Sequence, residues 1–227
     1  VPIGVLLSGG LDSSLIVALL REAGHERIRT FSIGFEDIDD EAGSEFEYSD
    51  QIVSKFDTEH KKYRVSNQEV LPRLSEAVLN MSEPMVGQDA VAFYLLSEQV
   101  SKHTKVVLSG QGADEAFAGY FWYPRMVDEG GNEIERFSKH YIDRPHKEYL
   151  QTVTAKFRGD NHTHRWLNKE FSKPGTDSFI DKVFRTDMTR LIVDDPVKRV
   201  DNMTMAWGLE ARVPFMDTEL VEWALSI

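Results

Sequence analysis

The chain has 227 residues, of which 41% are hydrophobic, and this is enough to form a buried core in one domain or at most two. It has no run of ~18 apolar residues and no basic segment leading into an apolar one, so the sequence predicts neither a membrane span nor a secretion signal and indicates a cytoplasmic protein. The absence of cysteine excludes disulfides and thiolate chemistry, and the net charge of −12 argues against a nucleic-acid partner.

The first half of the chain alternates short apolar runs with helical periodicity. Strands are predicted at 3–7, 29–33, 60–65 and 105–108, and helices at 15–21, 49–56, 70–81 and 92–100. Such alternation predicts an α/β fold, a parallel twisted sheet with helices on both faces. In that architecture ligands bind at the carboxyl ends of the strands, beside a topological switch point.

The second half, from about Tyr120, has no strand pattern. Helices are predicted at 147–157, 163–171, 180–186 and 188–205. We therefore expect a single domain, with a sheet half of about residues 1–119 and a helical half of about 120–227 packed on it. Both ends of the sequence lie inside predicted elements, so we expect a fragment of a longer protein.

The first strand runs into the stretch LLSGGLDSS. Glycine accepts positive φ angles, so Ser8, Gly9 and Gly10 can turn consecutive N–H groups into one concavity, and Asp12 and Ser13 then begin a helix whose positive pole adds to it. This predicts an anion cradle. The helix LDSSLIVALL is apolar nearly all round, so we expect it to be buried and to hold the cradle rigidly. The simpler alternative is an ordinary glycine turn.

The fourth strand leads into a similar stretch, Ser109, Gly110, Gln111 and onward to Asp114. If the first and fourth strands are neighbours, Asp12 and Asp114 converge on one site. Carboxylate oxygens beside a polyphosphate are the ligands that Mg²⁺ takes up, usually with only one or two from protein. The alternative is two helix N-caps with no common ligand.

Four motifs together resemble a known family. The first, SGGLDS, is similar to the signature of the PP-loop ATP pyrophosphatases. With FSIGF (31–35), LSGQGADEAFAGY (108–120) and MTMAWGLEARVPFMD (203–217), the chain resembles the synthetase domain of the glutamine-dependent asparagine synthetase family from end to end. It lacks both the Walker phosphate loop and the dinucleotide fingerprint.

The resemblance implies an ATP-dependent ligase that adenylates a substrate carboxylate and then transfers ammonia to it. Asp12 and Asp114 would hold Mg²⁺. The ATP-binding residues it implies are Leu7, Ser8, Gly9, Gly10, Asp12, Ser13, Ile33, Ser109 and Gly110. In the family an N-terminal glutaminase domain with a cysteine nucleophile supplies the ammonia; because this chain has no cysteine, we expect it to use free ammonium only. The sequence leaves open whether the protein forms a homo-oligomer.

Two positions depart from asparagine synthetase. Gln111 stands where the family usually has glutamate, and Asn202 where it commonly has a cation, so both are candidate catalytic residues that cannot ionise. The sequence looks most like the branch named N-acetylglutaminylglutamine amidotransferase, which would amidate an N-acylated glutamine dipeptide. Aspartate as substrate, a tRNA-modifying enzyme and a non-catalytic ATP-binding scaffold are the alternatives. Glu210 and Arg212 could pair with each other or line the site.

Overall fold

The structure is a computed structural model that describes residues 2–37, 43–83, 89–176 and 178–227. The chain divides into two compact units. The first unit comprises residues 1–113 and 192–227, and the second comprises residues 114–191. The sheet and both glycine bends of the sequence lie in the first unit.

The strands are β1 (Ile3–Leu6), β2 (Arg29–Phe35), β3 (Glu59–Val65), β4 (Val106–Leu108) and β5 (Glu210–Arg212). The α-helices are α1 (Leu11–Glu22), α2 (Phe46–Phe56), α3 (Asn67–Leu79), α4 (Ala90–Ser101), α5 (Ala113–Phe117), α6 (Trp122–Asp128), α7 (Glu133–Tyr141), α8 (His146–Thr152), α9 (His162–Phe171), α10 (Phe179–Thr186), α11 (Ile192–Asp194), α12 (Pro196–Met205) and α13 (Thr218–Ala224). A π-helical turn spans Asp187–Leu191, and short 3₁₀ turns span Ala155–Phe157 and Pro214–Met216.

The first unit is built on one parallel sheet with the strand order β3-β2-β1-β4-β5. The central strand β1 pairs with β2 on one side and with β4 on the other, with Val5 opposite Thr30 and Leu108. The strand order therefore reverses direction between β1 and β4, which is a topological switch point. This confirms the predicted fold class, and it makes the first and fourth strands neighbours.

Helices cover both faces of this sheet. Successive strand residues point to opposite faces, so the apolar residues of the strands need a covering layer on each face. Val5 and Leu7 of the first strand segment lie in a core cluster with Ile16 and Val17 of α1. Leu6, between them, lies in a different cluster on the other face. That second cluster contains Leu6, Phe31, Leu96, Val100, Val107 and Leu209.

Three predictions about helices and strands are wrong. The second half does contain a strand, β5, whose three residues lack apolar alternation and are ordered by pairing with β4. The helix predicted over 188–205 is interrupted, since Pro196 starts α12 after the separate turns at Asp187–Leu191 and α11. Helix α1 is not buried all round: Leu11, Leu15 and Leu19 are 82%, 41% and 51% exposed, because only the opposite face packs on the sheet.

The second unit has its own core. Its fully buried side chains include Met126, Phe137, Leu167 and Val183, from α6, α7, α9 and α10. The sequence did not predict α6 or α7. Along the described part of the chain, we find no helix long and apolar enough to cross a bilayer.

Candidate functional site

The first bend follows β1 and requires glycine at its centre. Leu7 extends the strand, since its N–H donates to the carbonyl of Phe31 at 2.8 Å. Gly9 then adopts a φ of 93°, and a β-carbon there would lie 2.5 Å from the backbone nitrogen of Ser49 in α2. Any side chain at residue 9 would therefore be strained and would also collide with α2.

Hydroxyl groups hold the bend to the start of α1. The Gly10 N–H donates to Ser8 Oγ at 3.2 Å, and the Ser8 and Ser13 hydroxyls are 3.1 Å apart. The Ser14 hydroxyl donates to the Gly10 carbonyl at 2.6 Å. Gly10 is the N-cap of α1, and no side chain of the described residues caps this end, so the first N–H groups of the helix can bind an anion.

The second bend packs against the first. Ser109 is 3% exposed, and its N–H donates to the carbonyl of Arg212 at 2.9 Å, which continues the pairing of β4 with β5. A β-carbon on Gly110 would lie 3.1 Å from Cβ of Asp12 and 3.2 Å from the nitrogen of Ser13. The structure therefore brings both serine-glycine bends to one point at the carboxyl edge of the sheet, at the switch point between β1 and β4.

Asp12 is a suitable ligand for a hard cation. Burial raises the pKa of its carboxyl above the usual range, while a hydrogen bond from its own N–H acts in the opposite direction. None of the described residues forms an ion pair with it, and among them no group of three or more acidic or histidine side chains could hold a metal alone. A magnesium ion here would thus take its remaining ligands from phosphate and water, as Mg²⁺ commonly does.

Asp114 lies in the second unit, at the first turn of α5. The Gly119 N–H donates to the Asp114 carbonyl at 2.9 Å, and a β-carbon on Gly119 would overlap Asp114 Oδ1. Ala118, just before it, has a φ of 56°, which non-glycine residues rarely adopt. The Ala118–Gly119 turn therefore fixes the space around the Asp114 carboxylate.

The remaining predicted site residues differ in their burial and in their hydrogen bonds. The Leu7 side chain is 2% exposed in the core beside α1, so Leu7 offers a ligand only its backbone. Ile33, in the middle of β2, is partly buried in the cluster on the opposite face. The Gln111 N–H donates to Ser109 Oγ at 3.4 Å. Arg212 pairs with Glu210 at 2.7 Å, the first of the two alternatives for these residues.

The Asn202 amide is engaged on both sides. Its Oδ1 accepts from the Ser82 N–H at 2.7 Å, and its Nδ2 donates to the Lys198 carbonyl at 2.8 Å. The contact with Ser82 could not be predicted from the sequence, because Ser82 and Asn202 are 120 positions apart.

The sequence also gave no indication of a buried acidic cluster in the second unit. Asp187 is 0% exposed and accepts hydrogen bonds of 2.6 Å from the hydroxyls of Tyr123 and Tyr141. Glu115, 1% exposed, accepts one of 2.7 Å from Tyr120. Burial raises the pKa of Asp187 to about 6; the two tyrosine hydrogen bonds lower it, and the charge of Glu115 raises it.

Comparison with known proteins identifies the family. The profile of the asparagine synthase family matches residues 1–227, and the chain belongs to this family. A glutamine-hydrolyzing asparagine synthetase (number 1) of Bacillus subtilis is 28% identical over 260 residues, which cover 100% of this chain and 40% of the relative. A second one (number 3) from that organism is 30% identical over 249 residues, covering 100% of this chain and 39% of the relative.

The chain thus spans about 40% of the length of these relatives. Among solved structures, a predicted subunit of tRNA methyltransferase from Methanocaldococcus jannaschii superposes with a TM-score of 0.35 at 17% identity, over 86% of this chain and 90% of that one. This likeness is too weak to support any conclusion about the fold or the function of the chain.

Proposed function

We propose that this chain is the ATP-dependent synthetase part of an amide-forming ligase. The observation that carries the proposal is the packing of Gly110 against Asp12 and Ser13, which surrounds one uncapped helix N-terminus with two glycine bends. Backbone N–H groups and a helix dipole aimed at one point suit a polyphosphate. Membership of the asparagine synthase family supports the amide-forming reaction.

In the proposed reaction, a carboxylate oxygen of the substrate bonds to the α-phosphorus of ATP. The bond from that phosphorus to the oxygen bridging the α- and β-phosphates breaks, and pyrophosphate leaves. Ammonia then bonds to the acyl carbon, AMP leaves with the electrons of the carbon–oxygen bond, and the surplus proton passes to solvent. Ser8, Gly9 and Gly10 would bind the departing pyrophosphate, and the adenosine would lie near Ile33, Ser109 and Gly110.

We propose Asp12 as one ligand of magnesium and, as a separate proposal, Asp114 as a second ligand. When bound, the metal would neutralise charge on the phosphates. The protein's own contribution is to hold the carboxylates in place: Asp12 is fixed in the first turn of α1, and the Asp114 carboxylate is confined by Gly119.

For the substrate we propose an N-acylated glutamine dipeptide rather than aspartate. Gln111 and Asn202 are both neutral amides, and Asn202 already uses its amide on backbone groups. Neither can therefore ionise to balance the extra ammonium and carboxylate of aspartate, whereas an acylated dipeptide has one carboxylate and no ammonium. Gln111, which begins to turn the chain after Gly110, is proposed to donate a hydrogen bond near the acyl group.

The test is pyrophosphate release from ATP and Mg²⁺ with free ammonium and, separately, N-acetylglutaminylglutamine, aspartate and glutamate. We expect pyrophosphate release with the dipeptide to be faster than with aspartate or with glutamate. Turnover with aspartate alone would contradict the substrate proposal. ATP binding without turnover of any carboxylate would support the competing proposal, a non-catalytic ATP-binding scaffold, which the neutral Gln111 favours.

The nitrogen donor is a separate proposal. The relatives are named glutamine-hydrolyzing, but this chain has no cysteine to serve as the nucleophile of a glutaminase. We therefore propose that residues 1–227 use ammonium directly and do not release glutamate from glutamine. Glutamate release by these residues, purified without any other domain, would contradict this.

A further inference from the structure

Basic side chains from three elements of the first unit meet where the strands of the sheet begin. Arg29 is the first residue of β2, Lys61 lies in β3, and His103 lies in the turn between α4 and β4. The Lys61 amine is 3.3 Å from His103 Nε2, and Arg29 Nη1 donates to the His103 carbonyl at 3.0 Å. Because the strands are parallel and the glycine bends follow their carboxyl ends, these residues lie at the other edge of the sheet.

The His103 imidazole has a defined position. Its ring stacks on that of Phe31, which is buried, with the ring centres 6.1 Å apart and the planes inclined by 13°. Its backbone is fixed by the bond from Arg29 and by its own N–H, which donates to the Val100 carbonyl at 2.9 Å. Lys61 is exposed and His103 is partly exposed, so one small ion from solvent can contact both side chains.

Positive charge around His103 exceeds negative charge. Arg29 pairs with Glu59 at 3.6 Å, but no carboxylate of the described residues forms an ion pair with Lys61 or with Lys102, the residue before His103. Burial lowers the pKa of His103, and three cations lower it further, namely Lys61, Arg29 and Lys102. An anion is therefore attracted to this place although the chain as a whole is acidic.

An oxyanion would turn Lys61 and His103 into two donors to one acceptor. The neutral imidazole can accept a hydrogen bond from the Lys61 ammonium, but a protonated ring has only N–H donors, and its charge repels the lysine. An anion bound between the two side chains would accept from both nitrogens and would favour the imidazolium. Anion binding therefore takes up one proton from solvent, which bonds to Nε2 of His103.

The charge of the whole chain favours a small anion over a large one. A net charge of −12 repels nucleic acid and acidic proteins, whereas the field of a few cations acts within about 8–10 Å at physiological salt. A phosphate dianion is small and has several acceptor oxygens for lysine and imidazolium. The simpler alternative is that Lys61 only protects the edge strand β3 from pairing with other chains.

We propose that Lys61 and His103, flanked by Arg29 and Lys102, form a binding site for a phosphate dianion, either inorganic phosphate or the monoester of a small molecule. The Lys61 ammonium and the protonated His103 ring donate to the phosphate, and Arg29 keeps the histidine in place. The site is separate from the ATP site proposed above and does not depend on the ligase function.

The first arm of the test follows the His103 imidazole by NMR in the intact protein. Inorganic phosphate or sulfate replaces chloride at constant ionic strength, and the pKa of each histidine is measured. Either dianion should raise the pKa of His103 by about one unit, with half saturation near ~1 mM. His162 is the internal control and should not respond, since its Nδ1 lies 2.9 Å from Arg165, which itself pairs with Asp160.

Sulfate also gives the pH dependence of binding, because it does not titrate near neutral pH. Its affinity should fall about tenfold as pH rises through the pKa of His103, since the bound state holds the additional proton. Sulfate affinity that is constant over this range would overturn the proposal, because the imidazole would then take no part in binding.

Two adjacent lysines of β3 provide a matched pair of variants. Lys61→Gln removes the proposed donor, whereas Lys62→Gln removes the same charge from the opposite face, where Lys62 pairs with Asp50 of α2 at 2.6 Å. Phosphate affinity should fall about tenfold in Lys61→Gln and stay near wild type in Lys62→Gln. Equal phosphate affinity in the two variants, or a pKa of His103 that phosphate leaves unchanged in wild type, would overturn the proposal in favour of simple edge protection.

AMP and adenosine distinguish the source of the phosphate group. A response of His103 to AMP equal to that with inorganic phosphate supports recognition of the phosphate group alone, and a stronger response supports a nucleotide monoester. Either response should weaken in Lys61→Gln. A response to adenosine as strong as that to AMP would overturn the proposal, because adenosine has no phosphate.

Discussion

Gly110, two residues after the end of β4, lies against Asp12 in the first turn of α1, and a β-carbon at residue 110 would lie 3.1 Å from Cβ of Asp12, closer than ordinary van der Waals contact. The two residues belong to different motifs nearly a hundred positions apart, and their contact turns two separate glycine bends into one site.

Gly110→Val tests the contact between the bends directly. The larger side chain would push Asp12 and Ser13 away, and because overpacking costs about 1–3 kcal/mol, affinity for ATP is expected to fall about tenfold or more. Isothermal titration with ATP and Mg²⁺ measures it. Gly130→Val is the control, because nothing lies within 4 Å of a β-carbon at that position. Equal ATP affinity in the two variants would contradict a shared site.

Gly9→Ala should destabilise the first unit by more than the strain of placing alanine at a positive φ angle. Gly9 and Gly24 have φ values of 93° and 89°, but a β-carbon at Gly9 meets the Ser49 nitrogen at 2.5 Å, whereas one at Gly24 meets nothing within 4 Å. Both substitutions add backbone strain of about 1–3 kcal/mol, and only Gly9→Ala adds the collision with α2. Urea unfolding of both variants separates the two effects. Equal decreases in the free energy of unfolding would show that α2 moves to accommodate the methyl group at no cost.

Gly119→Ala tests the setting of Asp114. The added methyl group would occupy the place of Asp114 Oδ1, so the carboxylate must move. We expect weaker Mn²⁺ binding in the presence of ATP, followed by electron paramagnetic resonance, with an effect similar to that of Asp114→Asn. Gly130→Ala, also in the second unit, adds a methyl group where nothing lies within 4 Å, and so controls for the loss of a glycine alone. Unchanged Mn²⁺ affinity in Gly119→Ala would remove Asp114 from the proposed metal ligands.

Asp187→Asn should change the pH dependence of unfolding. Burial raises the pKa of Asp187 to about 6 in the folded protein, whereas an unperturbed aspartate has a pKa of 3.8, so the folded state binds this proton more tightly than the unfolded state. The resulting stabilisation is complete below pH 3.8 and is lost as pH rises through 6. The free energy of unfolding of the variant relative to wild type should therefore rise by about 3 kcal/mol between pH 3.5 and pH 7.

Urea unfolding at a series of pH values measures this difference. Asp160→Asn removes a carboxylate whose side chain is 80% exposed from the same unit, and controls for the change in net charge. A relative stability that stays constant across the range would show that the surroundings of Asp187 do not raise its pKa.

The sequence predicted three strands well because β1, β2 and β4 are largely buried runs bounded by turn residues, a local signal. The edge strand β3 was also predicted, although Val65 is its only buried residue. It did not predict β5, since Glu210, Ala211 and Arg212 have no strand pattern and are ordered by β4. The exposed face of α1 was also missed. An apolar helix indicates burial, but the sequence does not show how many of its faces have a neighbour.

Within the site, the SGG and SGQG stretches predicted two bends because positive φ and close approach both demand glycine at fixed positions. The contacts of Asn202 with Ser82 and of Asp187 with Tyr123 join residues 120 and 64 positions apart, and no local pattern encodes them. The placement of the backbone bends was therefore predictable, and the hydrogen-bonding partners of the polar side chains were not.

The fate of a labelled oxygen tests the central claim, that the joined bends direct attack of a carboxylate on the α-phosphorus of ATP. The intact protein is incubated with ATP, Mg²⁺, ammonium and N-acetylglutaminylglutamine labelled with ¹⁸O in its carboxylate, and the products are separated by mass. We expect one ¹⁸O atom in AMP, with pyrophosphate unlabelled. Label in inorganic phosphate accompanied by ADP, or AMP formed without label, would contradict it.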